Sequence, residues 1–70
     1  MQGALIYDPK TDRMDIRFGI NDYYGGLHCG DCLDVMVNNR WHPTRIEYFD
    51  GNWILIGIKA TNLVGLRVRI

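Results

Sequence analysis

A period of two in the apolar residues constrains this chain more than any other feature. Met14, Ile16, Phe18 and Ile20 alternate with Asp15 and Arg17, Leu33, Val35 and Val37 with Asp34 and Met36, and Leu66, Val68 and Ile70 with Arg67 and Arg69. Successive side chains of a strand point to opposite faces, so each segment has one face suited to a core and one suited to water. The residues between these segments are turn formers: Asp8-Pro9-Lys10-Thr11-Asp12, Asn38-Asn39 and Asp50-Gly51. Asn, Asp and Gly tolerate the positive φ of tight hairpin turns, so these positions read as hairpins. Strands are expected near 2–7, 13–19, 31–37, 40–48, 52–58 and 65–70. A longer connection is expected over 20–30, and a short turn, as one turn of 3₁₀-helix, near Thr61-Asn62-Leu63. No stretch of ten or more residues has helical periodicity.

A chain of 70 residues makes one domain, residues 1–70. At that size only about 60% of the unfolded chain's surface is buried, and a staple such as a disulfide, a metal or a partner subunit is often needed. Short strands with one apolar face cannot lie flat with both faces covered. Closing into an all-β small barrel of five to six antiparallel strands covers the core and hides the edges. Eight basic residues balance eight acidic ones, so no overall field draws the chain to nucleic acid or a membrane surface. The longest apolar run, Trp53–Ile58, is far short of the roughly 20 residues needed to span a bilayer. Met1-Gln2-Gly3-Ala4 has no basic region ahead of an apolar stretch, and the expectation is a cytoplasmic protein.

Both cysteines lie in one pentapeptide, His28-Cys29-Gly30-Asp31-Cys32. In a reducing compartment this spacing points to metal ligation or redox chemistry before a structural disulfide. Zinc requires four ligands, of which Cys29 and Cys32 supply two and His28 a third. Asp31 or Asp34 could add an oxygen, and a second copy of the chain in a homodimer would complete a four-thiolate site. The plain alternative is a pair of reduced, partly buried thiols. His42 is a poor ligand, because a two-residue Asn38-Asn39 turn pairs Val37 with Arg40, Val35 with His42 and Asp34 with Pro43, placing His42 on the face opposite Cys32. A thioredoxin-type role would need the motif to open a helix within alternating strands and helices, and neither is expected here.

Tyr23 and Tyr24 precede Gly25-Gly26 in the long connection, and Trp41 faces the Met36 side, away from Val35 and Val37. These aromatics are candidate anchors for a partner, with Trp41 the most exposed of them; the plain reading for either tyrosine is a lid on the barrel end. Trp53, opposite Tyr48 across the Asp50-Gly51 turn, reads as core. Arg40, Arg45, Lys59, Arg67 and Arg69 could form a stripe facing phosphates, or simply the solvated outer face of strands. With no serine, one glutamate and no glycine-rich phosphate loop, the chain reads as a non-enzyme.

The stretch from Gly30 to Trp41, then Thr44-Arg45-Ile46-Glu47 and Asp50-Gly51-Asn52-Trp53-Ile54-Leu55, resembles the middle of an SH3-like or Tudor-like small barrel. Gly65-Leu66-Arg67-Val68-Arg69-Ile70 is similar to its closing strand. Across most of the chain, and especially at Tyr23-Tyr24-Gly25-Gly26-Leu27-His28-Cys29-Gly30, it resembles an uncharacterised family of roughly 70-residue domains from Gram-positive bacteria and their mobile elements. Phages of such hosts encode compact inhibitors of type II CRISPR nucleases of similar size. The resemblance thus implies a protein-binding module that blocks a larger host protein such as that nuclease; it names no binding residue, and Tyr23, Tyr24, Trp41, Arg40 and Arg45 are the contacts that the residues themselves suggest. The alternatives are a nucleic-acid-binding barrel or an accessory dimerisation domain.

Overall fold

In a computed structural model that describes all 70 residues, the chain is entirely β, with no helix. Its strands are β1 (Gln2–Asp8), β2 (Arg13–Gly19), β3 (Asp22–Tyr23), β4 (Cys32–Val37), β5 (Arg40–Phe49), β6 (Asn52–Leu55) and β7 (Arg67–Arg69). They form one seven-stranded sheet in the order β3-β2-β1-β7-β4-β5-β6, and every pairing is antiparallel. The last strand lies between β1 and β4 and so joins the N-terminal hairpin to the central one.

Turn chemistry sets the registers. Asn38 (φ 51°) and Asn39 (φ 63°), then Asp50 (φ 52°) and Gly51 (φ 79°), are left-handed in pairs, the geometry whose twist matches flanking strands. Val37 therefore faces Arg40, Val35 faces His42 and Asp34 faces Pro43, the register expected from the turn. In a two-residue hairpin the pair at the turn exchanges hydrogen bonds and the pairs alternate from there, so Asp34–Pro43 is a non-bonded pair. The N–H that Pro43 lacks would point away from β4, where β6 no longer accompanies the strand, since its pairing with β5 ends at Ile46–Leu55. Proline is tolerated in a strand at just such an edge.

The inward faces supply the core. Leu5, Ile16, Leu27, Val35, Ile46 and Val68 are wholly buried, with Met14, Leu33, Leu55 and Leu63 nearly so. Leu27 and Leu63 come from the two long connections and join the same core. At the crossing of β1 and β2, a Cβ on Gly3 would run into the carbonyl oxygen of Arg17 and the side chains of Ile16 and Phe18. β6 is brought against the β1–β2 turn by the Trp53 indole N–H, which donates to the Asp12 carbonyl at 3.2 Å. Trp53 also meets Tyr48 edge to face, with centroids 4.9 Å apart. The sheet thus curls into a barrel-like form around one core.

Local elements differ from the sequence expectation in four places. There are seven strands, because residues 22–23 pair with β2 as a short extra strand. The strand expected over 52–58 ends at Leu55, where the Ile58 N–H turns back onto the Leu55 carbonyl at 3.1 Å and Gly57 is left-handed (φ 78°). The strand expected over 65–70 keeps only Arg67–Arg69, although Gly65 and Leu66 exchange backbone hydrogen bonds with Leu5 at 2.8 and 2.9 Å. The 3₁₀ turn does not form: the Asn62 side-chain oxygen accepts the Val64 N–H at 3.0 Å and bends the chain directly.

Candidate functional site

His28-Cys29-Gly30-Asp31-Cys32 is a tight turn leading into β4. The Asp31 N–H donates to the His28 carbonyl at 3.0 Å, the Asp31 carboxylate accepts the His28 backbone N–H at 2.8 Å, and Gly30 takes the left-handed step (φ 91°). Asp31 is thereby spent on its own turn, with its Oδ2 3.9 Å from His28 Nδ1. Cys29 and Cys32 are exposed reduced thiols. No group of three or more His, Cys, Asp or Glu side chains is brought together to hold a metal ion. One chain therefore offers two thiols of the four ligands a structural zinc requires. His42 is half-buried on the inward face beside Val35, as its register requires.

The long connection is tied down by a residue the sequence reading passed over. Asp15, in β2, is buried, and its Oδ1 accepts the backbone N–H groups of Ile16, Gly25 and Gly26 at 2.8, 3.0 and 2.9 Å. Gly25 and Gly26 reach this oxygen with φ of 107° and 100°, a path L side chains rarely follow. The glycine pair is therefore a fixed clasp behind the two tyrosines. The available signal was a carboxylate at a strand position, to be matched with adjacent glycines elsewhere, because a buried carboxylate must find donors.

Strand registers assemble the outer face. Tyr23, Arg17, Ala4 and Arg67 are successive partners across β3, β2, β1 and β7. Asp34–Arg69 and Val35–Val68 are partners between β4 and β7, which sets Met36 level with Arg67, and Met36 faces Trp41 on β5. Directly opposed residues share a face, so Tyr23, Arg17, Ala4, Arg67, Met36 and Trp41 form one row across the outside of the sheet. Trp41 is half-buried in this row, less exposed than its place opposite Met36 suggested, because the Arg69 guanidinium lies over its ring 4.5 Å from the centroid. Arg69 Nε also donates to Asp34 Oδ2 at 2.8 Å. Beside the row, Arg45 Nε donates to Glu47 Oε2 at 2.8 Å, and Arg17 caps the carbonyls of Gly19 and Ile20 at 3.0 and 3.3 Å.

Of the anchors expected from sequence, the face unites Tyr23, Trp41 and Arg45 and adds Arg17, Arg67 and Arg69. Arg40 belongs to the inward register with Val37 at the hairpin tip. Tyr24 sits on the free edge of the sheet, its N–H bonded to the Ile16 carbonyl at 2.9 Å. On this face Arg17, Arg45, Arg67 and Arg69 lie with Asp34 and Glu47, and the same registers of β1 and β2 also carry Asp8, Arg13 and the buried Asp15. No helix is long and apolar enough to cross a membrane.

Fold and face together define a small all-β domain, one curled antiparallel sheet with arginines and aromatics on its outside. The family model described as Domain of unknown function (DUF5348) matches residues 3–70, and the chain belongs to that family. It is similar to a protein from Ruminococcus gnavus known from a crystal structure, with 51% sequence identity over 100% of both chains and a TM-score of 0.94. A comparison with curated proteins finds no match.

Proposed function

We propose that this chain is a non-enzymatic protein-binding module that engages its partner through the outer face. The observation that supports this reading is the row Tyr23, Arg17, Ala4, Arg67, Met36, Trp41. Tyr, Trp, Met and Arg are the residues enriched at protein interfaces and at their energetic centres. Here they are presented on rigid strands, so little conformational entropy is lost on docking. The partner is a larger host protein, and a type II CRISPR nuclease is the first target, blocked sterically on a surface used for nucleic acid or for activation.

Titration of the purified protein into cleavage reactions of several type II CRISPR nucleases tests the target. Inhibition that the Arg17→Glu/Arg67→Glu double variant loses is the expected result; inhibition that survives both reversals removes the face from the mechanism. Cleavage unaffected by excess protein in every enzyme removes the nuclease.

A stripe facing phosphates is the less favoured reading. Arg69 and Arg45 are each held by a carboxylate of the same face, at 2.8 Å, whereas a surface that tracks a phosphate backbone works through uncompensated positive charge. A salt-dependent mobility shift of DNA or RNA by the purified protein would reverse that preference.

A further inference from the structure

Arg69 is held in place from two directions. Its guanidinium carbon sits over the Trp41 ring, 4.5 Å from the centroid, and its Nε is committed to Asp34 at 2.8 Å. That ion pair is the only hydrogen bond the side chain makes within the chain, which leaves the N–H groups of both terminal nitrogens without a partner. The side chain is 44% exposed, and the open edge borders a groove of about 640 Å³ whose walls include Cys32, Leu33, Asp34, Pro43 and Thr44. A guanidinium is always charged, and its planar fork matches a carboxylate with two parallel hydrogen bonds. An arginine on a solvated strand normally samples many rotamers and loses that freedom on binding. Here Trp41 and Asp34 have already removed it.

Resting on the reading that the outer face binds protein, we infer that Arg69 is a preorganised anchor for a carboxylate side chain on an acidic protein surface. The neighbouring charges select this ligand over a nucleic acid. Asp34 lies against the same guanidinium and Glu47 against Arg45, so a polyanion laid along the face meets fixed negative charge at two points. A single carboxylate needs only the fork, and the row on either side of it supplies the aromatic and arginine contacts. Trp41 is the positioning residue of this arrangement and Asp34 its second support.

Fluorescence anisotropy with a labelled peptide carrying one glutamate among neutral residues, and in parallel with a single-stranded oligothymidylate, tests the inference. The expected result is binding of the peptide over the oligonucleotide, weakened about tenfold or more by Arg69→Lys, which keeps the charge and loses the fork. Trp41→Ala should weaken it as well, while Lys59→Ala, outside the face, should leave it unchanged. Arg69 points to solvent, and the thermal unfolding midpoint of Arg69→Lys reports that the fold is intact. Peptide binding that Arg69→Lys leaves unchanged overturns the anchor, and if Arg17→Glu/Arg67→Glu still abolishes binding, the outer face stands without it. Absence of peptide binding, or tighter binding of the oligothymidylate, overturns the carboxylate assignment. Loss of the face as a whole shows instead as indifference of all probes and targets to Arg17→Glu/Arg67→Glu.

Discussion

The carboxylate of Asp15 lies 2.9 Å from the backbone nitrogen of Gly26, eleven residues further along the chain. That one oxygen, which also accepts from Ile16 and Gly25, carries the long connection past the edge of β2 and lets Leu27 drop into the core, where it is fully buried. Removing it leaves the buried Ile16 N–H and the part-buried N–H groups of Gly25 and Gly26 without this acceptor. Asp15→Ala is expected to destabilise the fold by roughly 3 kcal/mol, and Asp15→Asn, which keeps an acceptor oxygen, by about 1 kcal/mol. Urea unfolding measures both, and equal losses would show that the charge, rather than the acceptor, holds the connection.

Gly3 in β1 has no room for a side chain. A methyl group there meets the Arg17 carbonyl and the side chains of Ile16 and Phe18, and the carbonyl belongs to the paired backbone of β2. Gly3→Ala is expected to cost about 1–3 kcal/mol by overpacking, despite the better strand propensity of alanine. A denaturation midpoint at or above that of the parent would show that the crossing can open without penalty.

Tyr7 links stability to alkaline pH. Its hydroxyl donates to the Asp12 carboxylate, and that hydrogen bond, with smaller contributions from desolvation and from the negative charge of Asp12, raises its pKa above the ordinary value of 10.0. The folded state therefore holds the phenol proton more tightly than the unfolded chain does. The stabilisation is complete below about pH 10 and is lost as pH rises through the higher folded value. Thermal melts stepped upward from neutral pH should show a drop at the alkaline end that Tyr7→Phe lacks. A parent and variant that fall together would exclude Tyr7 as the group responsible.

Cys29 and Cys32 bear on assembly. With two exposed thiols in each chain and no third ligand gathered beside them, any zinc the protein retains is expected at one ion per two chains, and a strong chelator should return the monomer. Native mass spectrometry before and after chelation reads metal and subunit number together. One zinc per monomer would mean that His28 leaves its turn to complete a local site.

Much of this architecture was legible because it is local. Alternation identified the inward residues Leu33, Val35 and Val68, and the Asn38-Asn39 turn set His42 opposite Val35, since a two-residue hairpin leaves no freedom of register. What depended on long-range partners could not be read this way. The insertion of β7 between β1 and β4 is settled by which strand pairs bury the most apolar surface, and no local pattern encodes that choice. The Asp15 clasp needs glycines brought alongside β2 by that packing, and the support of Arg69 needs Asp34, thirty-five residues away, together with Trp41 from a third strand. Periodicity and turn chemistry act between neighbours and assign each residue a face; only the closing of the sheet decides which residues share it, because strand order brings side chains from distant segments to within bonding distance.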